Sequence, residues 1–124
     1  MQIEDIQLSA ILKYVKSTDS LEAAKQQLLQ DSISALIVID NSADVIGILT
    51  ERDLLKVSPL EFDQVHVSEV CSKALYFVSD EDTVEQASIL MINHHCHHLL
   101  VTDETSKKLT GLISSLDIVK AHVN

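Results

Sequence analysis

The chain has 124 residues, of which 9 are Lys or Arg and 19 are Asp or Glu, so its formal net charge is −10 at pH 7. A chain of this length predicts one compact domain or two small units, and it excludes a multidomain enzyme. The negative charge repels phosphate backbones and anionic lipid headgroups, which argues against a nucleic-acid polymer or a membrane as partner.

The predicted strands and helices occur in the same order in both halves of the chain. Short apolar runs without alternation indicate buried strands, and apolar residues at helical spacing indicate the longer helices. Asp19 and Asp82, each with a Glu three residues later, predict the caps of those helices. The predicted elements are a strand at 12–16, a helix from 19, strands at 35–39 and 45–49, a helix at 51–57, a strand at 75–79, a helix from 82, strands at 99–101 and 109–113, and a helix at 115–123.

The two halves of this order are related in sequence. A shift of 63 residues aligns 20–24 with 83–87 and 36–40 with 99–103, and a shift of 64 then aligns 45–54 with 109–118. Self-similarity of this kind indicates repeated structural units that bury their cores together. We therefore predict an α+β fold of two pseudo-symmetric repeats, residues 1–60 and 61–124, each with the order strand, helix, strand, strand, helix.

The sequence also contains features that indicate the cellular compartment. Residues 1–7 are acidic where a secretory signal would be basic, and no apolar run approaches the ~18 residues of a membrane span. Cys71 and Cys96 form no CxxC arrangement, which is typical of free thiols in a reducing compartment. We therefore expect a soluble cytoplasmic protein.

One motif occurs at the same place in both repeats, where a strand ends and a helix begins. It consists of Gly, two apolar residues, Ser or Thr, two variable residues and Asp, and it occupies 47–53 and 111–117. In one interpretation Thr50 and Ser114 cap the helices, and the Asp side chains favour the positive helix ends. In the other, the helix start binds a phosphate, and Asp53 or Asp117 accepts two hydrogen bonds from a ribose diol.

These motifs, together with the segments 67–73 and 78–87, resemble a pair of cystathionine-beta-synthase (CBS) domains, the tandem unit called a Bateman module. The resemblance covers nearly the whole chain. It implies a non-catalytic regulatory module that binds AMP, ADP, ATP or S-adenosylmethionine in clefts between the repeats. It also implies a homodimer that signals the presence of this ligand, as in energy sensing, to an unknown regulated protein.

The resemblance assigns roles to residues of this chain. The motif Asp is expected to hold the ribose and the Ser or Thr to lie near the phosphate, which carries over to Asp53 with Thr50 and to Asp117 with Ser114. The adenine is expected at the backbone of 8–13 for Asp117 and of 71–76 for Asp53. The other candidate ligand-binding residues are His97, His98, Ile113, Lys13, Lys73 and Tyr76.

The two sites are expected to differ. The second repeat has His97 and His98 at the entry to its second strand, where the first has Ser34 and Ala35. A protonated imidazole would offset the phosphate charge that the acidic chain repels. We therefore expect the Asp117 site to bind more strongly than the Asp53 site.

Other functions remain as alternatives. The cluster at 94–98 contains four His and Cys96, and in an extended chain His94, Cys96 and His98 would face one side and hold a metal; a solvated junction is the favoured interpretation. A hydrolase built on Ser114, His97 and Asp117 is disfavoured because capping explains two of these residues and no Gly-x-Ser-x-Gly elbow exists. We expect no enzyme activity and no required cofactor. The runner-up is a ligand-free dimerisation or docking module.

Overall fold

The computed structural model describes residues 1–10 and 12–121. The predicted α+β class and the order of elements in both repeats are confirmed. The first repeat contains β1 (Tyr14–Lys16), α1 (Leu21–Asp31), β2 (Ala35–Ile39), β3 (Val45–Thr50) and α2 (Glu51–Leu54). The second contains β4 (Phe77–Ser79), α3 (Val84–His94), β5 (His98–Thr102), β6 (Leu109–Ser114) and α4 (Ser115–Ala121).

Some boundaries differ from those predicted. β1 and β4 each begin two residues later, and α2 ends at Leu54 rather than at 57. Beyond Leu54 the backbone continues in tight turns, in which the Leu55 and Lys56 N–H groups donate to the carbonyls of Arg52 and Asp53. The predicted end of the last helix at 123 lies outside the described residues.

Each repeat contributes one three-stranded sheet of the same topology. In the first sheet β1 is parallel to β2, and β2 is antiparallel to β3; β4, β5 and β6 repeat this arrangement. The register places Gly47 opposite Val38 and Gly111 opposite Val101, and both antiparallel pairs have an irregularity one residue later. The middle strands are almost wholly buried, as their continuous apolar sequences predict.

The chain forms two compact units that are not simply its first and second halves. One unit, here called the Asp53 unit, is Leu12–Leu75, and the other, the Asp117 unit, combines Met1–Ile11 with Tyr76–Asn124. We call 1–10 and 65–74, the equivalent segments that precede the first strand of each repeat, the two leaders. Each leader therefore packs with the other repeat.

Backbone hydrogen bonds attach both leaders in the same manner. In the Asp117 unit the Val84 N–H donates to the Met1 carbonyl at 3.0 Å, and in the Asp53 unit the Leu21 N–H donates to the Val65 carbonyl at 2.9 Å. Ile3 and its equivalent Val67 are fully buried in the respective cores. The leaders thus supply part of each hydrophobic core and bond to the first turn of each long helix.

The caps of α1 and α3 differ from the sequence prediction by one residue. The helices are capped by Ser20 and Thr83, whose hydroxyl oxygens accept from the N–H groups three residues on, and not by the Asp residues before them. The carboxylates of Asp19 and Asp82 instead accept from the N–H groups of Lys16 and Ser79. The prediction was wrong because each Asp closes the turn after the strand, which leaves the next hydroxyl to cap the helix.

Candidate functional site

Two carboxylates are buried at equivalent places in the two units. Asp53 is 6% exposed and Asp117 is 3% exposed, and they are the buried charged residues of the described chain. Each lies in the first turn of a short helix that continues directly from the last strand of its sheet. Burial of a carboxylate is costly unless hydrogen bonds compensate it, so the partners of the two oxygens define what each site can do.

One oxygen of each carboxylate is bound to its own motif. The Thr50 N–H donates to Asp53 Oδ2 at 2.9 Å, and the Ser114 N–H donates to Asp117 Oδ2 at 2.9 Å. The Asp117 N–H in turn donates to Ser114 Oγ at 3.2 Å. The capping interpretation is confirmed for Ser114 by this bond, and Thr50 is the N-cap residue of its helix, with a hydroxyl that donates to Asp53 Oδ2 at 3.3 Å. In both motifs these bonds use only one oxygen of the carboxylate.

The second oxygen has a different partner in each unit. Asp53 Oδ1 pairs with Lys56 Nζ at 2.9 Å, whereas Asp117 Oδ1 accepts from the backbone N–H of Ser9 at 3.0 Å. Ser9 belongs to the leader 1–10, so this bond joins the buried carboxylate to a segment far away in sequence. Sequence reasoning missed Lys56, although its place three residues after the motif Asp was a usable signal.

The hydrogen bonds make Asp117 a stable anion. Burial raises the pKa of its carboxyl, but hydrogen bonds from Ser114 and Ser9 outweigh burial, and the pKa lies below its ordinary value. The site therefore holds a negative charge at neutral pH. Such a carboxylate is an acceptor for neutral or cationic donors such as hydroxyl groups.

The leaders pass close to the motif glycines, at the segments expected to meet an adenine. A Cβ on Gly47 would lie 2.8 Å from the Ser72 carbonyl oxygen and 2.9 Å from Cys71 Sγ, and one on Gly111 would lie 2.6 Å from Leu8 Cδ1. Only glycine permits this approach without a shift of the neighbours. The structure therefore brings Leu8 and Ser9 to the Asp117 motif.

The other candidate residues of those two segments belong to different units. Lys13 belongs to the Asp53 unit, Tyr76 belongs to the Asp117 unit, and Ile11 lies outside the described residues. Lys73 is exposed in the same leader as Cys71 and Ser72. The Ile113 side chain is fully buried in the core of the Asp117 unit, so its side chain is not available to a ligand.

The structure brings both candidate histidines to the Asp117 motif. His98 is the cross-strand partner of Ser114, and the His97 carbonyl accepts from the Ser115 N–H at 2.9 Å. His97 is exposed and His98 is half-buried. Burial lowers the pKa of His98, as does the nearby His97, and together they outweigh the opposing effect of Asp117. His98 therefore gains its positive charge only at a lower pH than an ordinary histidine.

The histidine cluster does not form a metal centre in the described part of the chain, where no three His, Cys, Asp or Glu side chains could hold one ion. His94 ends α3 and stacks on Tyr76 with ring centroids 3.9 Å apart, and His95 takes a left-handed conformation with φ of 52°. The helix end and the turn send successive side chains in different directions. His94, Cys96 and His98 therefore do not form the extended set that the alternative required.

A feature that sequence reasoning missed is an apolar groove in the Asp117 unit. It has a volume of about 490 Å³ and lies between α3 and α4, lined by residues that include Met91, Ile92, Cys96, Ile118 and Val119. Ile92 and Val119 are exposed large hydrophobic residues.

Among the described residues, no helix is long and apolar enough to cross a membrane.

Comparison with known proteins identifies the family. The CBS domain family matches residues 3–59 and 67–124, so the chain belongs to that family and is a pair of CBS domains. A CBS-domain containing protein of Agrobacterium tumefaciens has 30% sequence identity and a TM-score of 0.81, with 91% of this chain and 85% of that chain covered. The CBS domain pair of protein MJ0100, solved in complex with 5-methylthioadenosine and S-adenosyl-L-methionine, has a TM-score of 0.80 at 22% identity and covers 98% of each chain.

Relatives among curated proteins are longer than this chain. An uncharacterized 17.7 kDa protein of Acidianus ambivalens is 28% identical over 107 residues, which are 86% of this chain and 65% of that protein. The inosine-5'-monophosphate dehydrogenase of Aquifex aeolicus is 31% identical over 107 residues, 86% of this chain and 21% of the enzyme. The chain thus spans about a fifth of the length of that dehydrogenase.

Proposed function

We propose that this CBS pair is a non-catalytic regulatory module that binds an adenosine ligand through the carboxylates of Asp53 and Asp117. The observation that carries the proposal is that the two oxygens of each carboxylate have different partners. One oxygen is used by the helix start, and the other has a partner that a ligand can replace. A ribose diol offers two O–H donors, and hydrogen bonds from such donors to a charged oxygen are strong.

Catalysis is not supported by the same geometry. Ser114 Oγ accepts from the Asp117 N–H, and Asp117 Oδ2 accepts from the Ser114 N–H. Both side chains are therefore used in capping the helix. A triad needs the carboxylate to orient a histidine that activates the serine. The alignment with only about a fifth of a dehydrogenase likewise supports an accessory domain over a whole enzyme.

The candidate ligands are AMP, ADP, ATP and S-adenosylmethionine. The CBS pair of MJ0100 was solved with two ligands that both contain an adenosine, which makes adenosine compounds the first to test. Within this chain, a site at Asp117 would be formed by Ser114, His97 and His98 with the leader residues Leu8 and Ser9. We expect this site to be the stronger of the two, because an imidazole that becomes protonated beside a phosphate offsets its charge.

Binding at Asp117 also suggests how a signal could arise. A hydroxyl that takes Asp117 Oδ1 competes with the Ser9 N–H, so the ligand-bound state favours a different position of the leader 1–10. A ligand shifts such an equilibrium only as far as it binds one state better. A regulated protein that recognises the leader or its surroundings would read this change.

Calorimetry of the native chain with AMP, ATP and S-adenosylmethionine tests the proposal. We expect micromolar dissociation constants, on the order of −8 kcal/mol. Asp117→Asn should weaken binding about tenfold or more, because it removes the charge from the acceptor. Asp53→Asn should have the smaller effect. The proposal fails if no adenosine compound gives heat or a thermal shift, and the order of the two sites is reversed if only Asp53→Asn abolishes binding.

A second function, pairing with another copy of the chain, is favoured by the apolar groove. Ile92 and Val119 line the groove and are exposed. A groove and exposed apolar side chains on one face suit a self-complementary contact about a two-fold axis. We therefore propose a homodimer through α3 and α4.

Sedimentation tests this assembly. The native chain should sediment as a dimer at tens of micromolar, and Val119→Asp should make it a monomer because a charge would be buried in the interface. Leu116→Asp is the control, since Leu116 is also exposed on α4 but does not line the groove. A 13.7 kDa species alone, with and without AMP, would exclude the dimer.

A further inference from the structure

The ion pair of Lys56 with Asp53 differs from the other contacts of the two buried carboxylates. Lys56 Nζ lies 2.9 Å from Asp53 Oδ1, and the lysine side chain is 63% exposed while the aspartate side chain is 8% exposed. The lysine thus reaches from solvent onto a buried oxygen. An ion pair with so exposed a partner contributes little to stability, so the ammonium can leave the carboxylate at small cost.

The equivalent lysine in the other unit has no such contact. Lys120 follows Asp117 by the same three residues and is exposed, but Asp117 Oδ1 accepts from the Ser9 N–H instead. Spacing alone therefore does not create the ion pair. The leaders also differ: in the Asp53 unit Ser72 and Ile48 exchange two backbone hydrogen bonds of 2.9 Å, which tie the leader to β3, and the partner of Asp53 Oδ1 is the lysine rather than a leader N–H.

We propose that Lys56 is a specificity-determining residue, which makes the Asp53 site prefer adenosine ligands that carry a phosphate over neutral ones. The inference rests on the proposed function of this site. A ribose hydroxyl that binds Asp53 Oδ1 must displace the ammonium. The displaced Nζ stays within reach because its stem is anchored only three residues after Asp53, in a turn where the Lys56 N–H donates to the Asp53 carbonyl. A phosphate on the ligand gives the cation a new charge-assisted partner, whereas a nucleoside leaves it with none.

Charge makes this preference more important here than in a neutral protein. The chain carries a net charge of −10, and the short helix of the site carries Glu51 and Asp53 against a single cation, Arg52. The surrounding field therefore opposes an anionic ligand. A mobile cation that moves from the carboxylate to the phosphate supplies a local compensation without a permanent basic pocket.

The test uses AMP and adenosine as probes, titrated by calorimetry at low salt. The parent is the Asp117→Asn chain, in which the stronger site is weakened, and Lys56→Met and Lys120→Met are compared in it and in the native chain. Methionine keeps most of the length of the stem but has no charge. In the parent we expect AMP to bind more tightly than adenosine, and Lys56→Met should reduce this preference about fivefold, as expected for the loss of one exposed ion pair.

Two control variants make the result specific. Lys120→Met should leave the preference unchanged within about twofold, because Lys120 does not touch a motif carboxylate. Lys56→Arg should restore the preference, since the guanidinium keeps the charge and can bind a phosphate. Circular dichroism of each variant checks that the chain is folded, and the native background provides the same comparison if Asp117→Asn does not fold.

Each outcome decides the matter. A reduced preference in Lys56→Met that Lys56→Arg restores supports the inference. An unchanged preference with both ligands still bound overturns the role of Lys56 and leaves the proposed function intact. Binding by the native chain but none by folded Asp117→Asn overturns the inference, because the Asp53 site then takes neither probe. Binding of neither probe by the native chain overturns the proposed function and the inference together.

Discussion

The Asp53 and Asp117 sites share a motif but not an environment. In both, the N–H of the capping residue donates to Oδ2 of the Asp at 2.9 Å. The other oxygen meets an exposed lysine in one unit and a leader N–H in the other. The difference shows that a local motif determines only the bonds within its own turn. The partner of the second oxygen is a segment more than a hundred residues away for Asp117, and a flexible side chain for Asp53.

The comparison bears on how each site would respond to a ligand. At Asp53 a ligand would displace a side chain, which is a local change of small cost. At Asp117 a ligand would displace backbone of the leader, which also places Ile3 in the core. The Asp117 site is therefore the better candidate for coupling ligand binding to a larger movement, and the Asp53 site for tuning ligand choice.

The largest expected effect comes from the cores that the two leaders complete. Ile3→Ala should lower the free energy of unfolding by about 3 kcal/mol, because it empties a fully buried position in the Asp117 unit. Val67→Ala, the equivalent change in the Asp53 unit, removes one carbon fewer and should cost about 2 kcal/mol. Urea unfolding at pH 7 measures both. A cost below about 1 kcal/mol for Ile3→Ala would mean that leader 1–10 is not part of the folded unit.

The motif glycines should respond unequally to the same change. Gly47→Ala pushes a methyl group against the Ser72 carbonyl and Cys71 Sγ, and backbone held by two hydrogen bonds cannot easily move, so we expect a loss of about 2 kcal/mol. Gly111→Ala meets only the end of the Leu8 side chain, which can rotate, and should cost less than about 1 kcal/mol. Thermal unfolding of both variants tests the difference, and equal losses would contradict it.

The buried Asp117 anion should make stability depend on acid pH. Its pKa is lowered by folding, so its stabilising contribution is complete above the ordinary carboxyl pKa and is lost as the pH falls through the folded value. Asp117→Asn should cost about 1–2 kcal/mol at pH 7, with the gap to the native chain narrowing toward pH 3. Urea unfolding at both pH values measures it. The exposed Glu85→Gln is the control, and a gap that stays constant with pH would contradict the prediction.

The smallest effect concerns His98, whose equivalent in the Asp53 unit is the buried Ala35. Folding lowers the pKa of His98, so the unfolded chain takes up the proton first and the native protein loses stability as the pH falls below the ordinary histidine pKa. His98→Gln should remove this loss, which we expect to be less than about 1 kcal/mol. His97→Gln at the exposed neighbour is the control. The prediction is wrong if His98→Gln and the native chain lose equal stability between pH 7.5 and 5.5.

Much of the fold was predictable because it depends on local patterns. Continuous apolar runs indicated β2 and β5, and helical spacing of apolar residues indicated α1 and α3. The caps were predicted one residue too early, since Asp19 and Ser20 are both good capping residues and sequence alone does not say which one faces the helix. The histidine cluster was ambiguous for a related reason, because its geometry depends on where α3 ends.

The sequence by itself determined the repeat, the order of the elements and the bond between each capping N–H and its Asp, because these depend on neighbours within a few residues. Only the tertiary structure decided that each leader completes the other repeat's core. It also decided that Ser9 reaches Asp117 while Lys56 reaches Asp53. The two repeats have the same spacing from Asp to Lys, so this spacing does not separate them. The leaders differ, because the backbone of 65–74 pairs with β3 whereas that of 1–10 bonds to the carboxylate of Asp117.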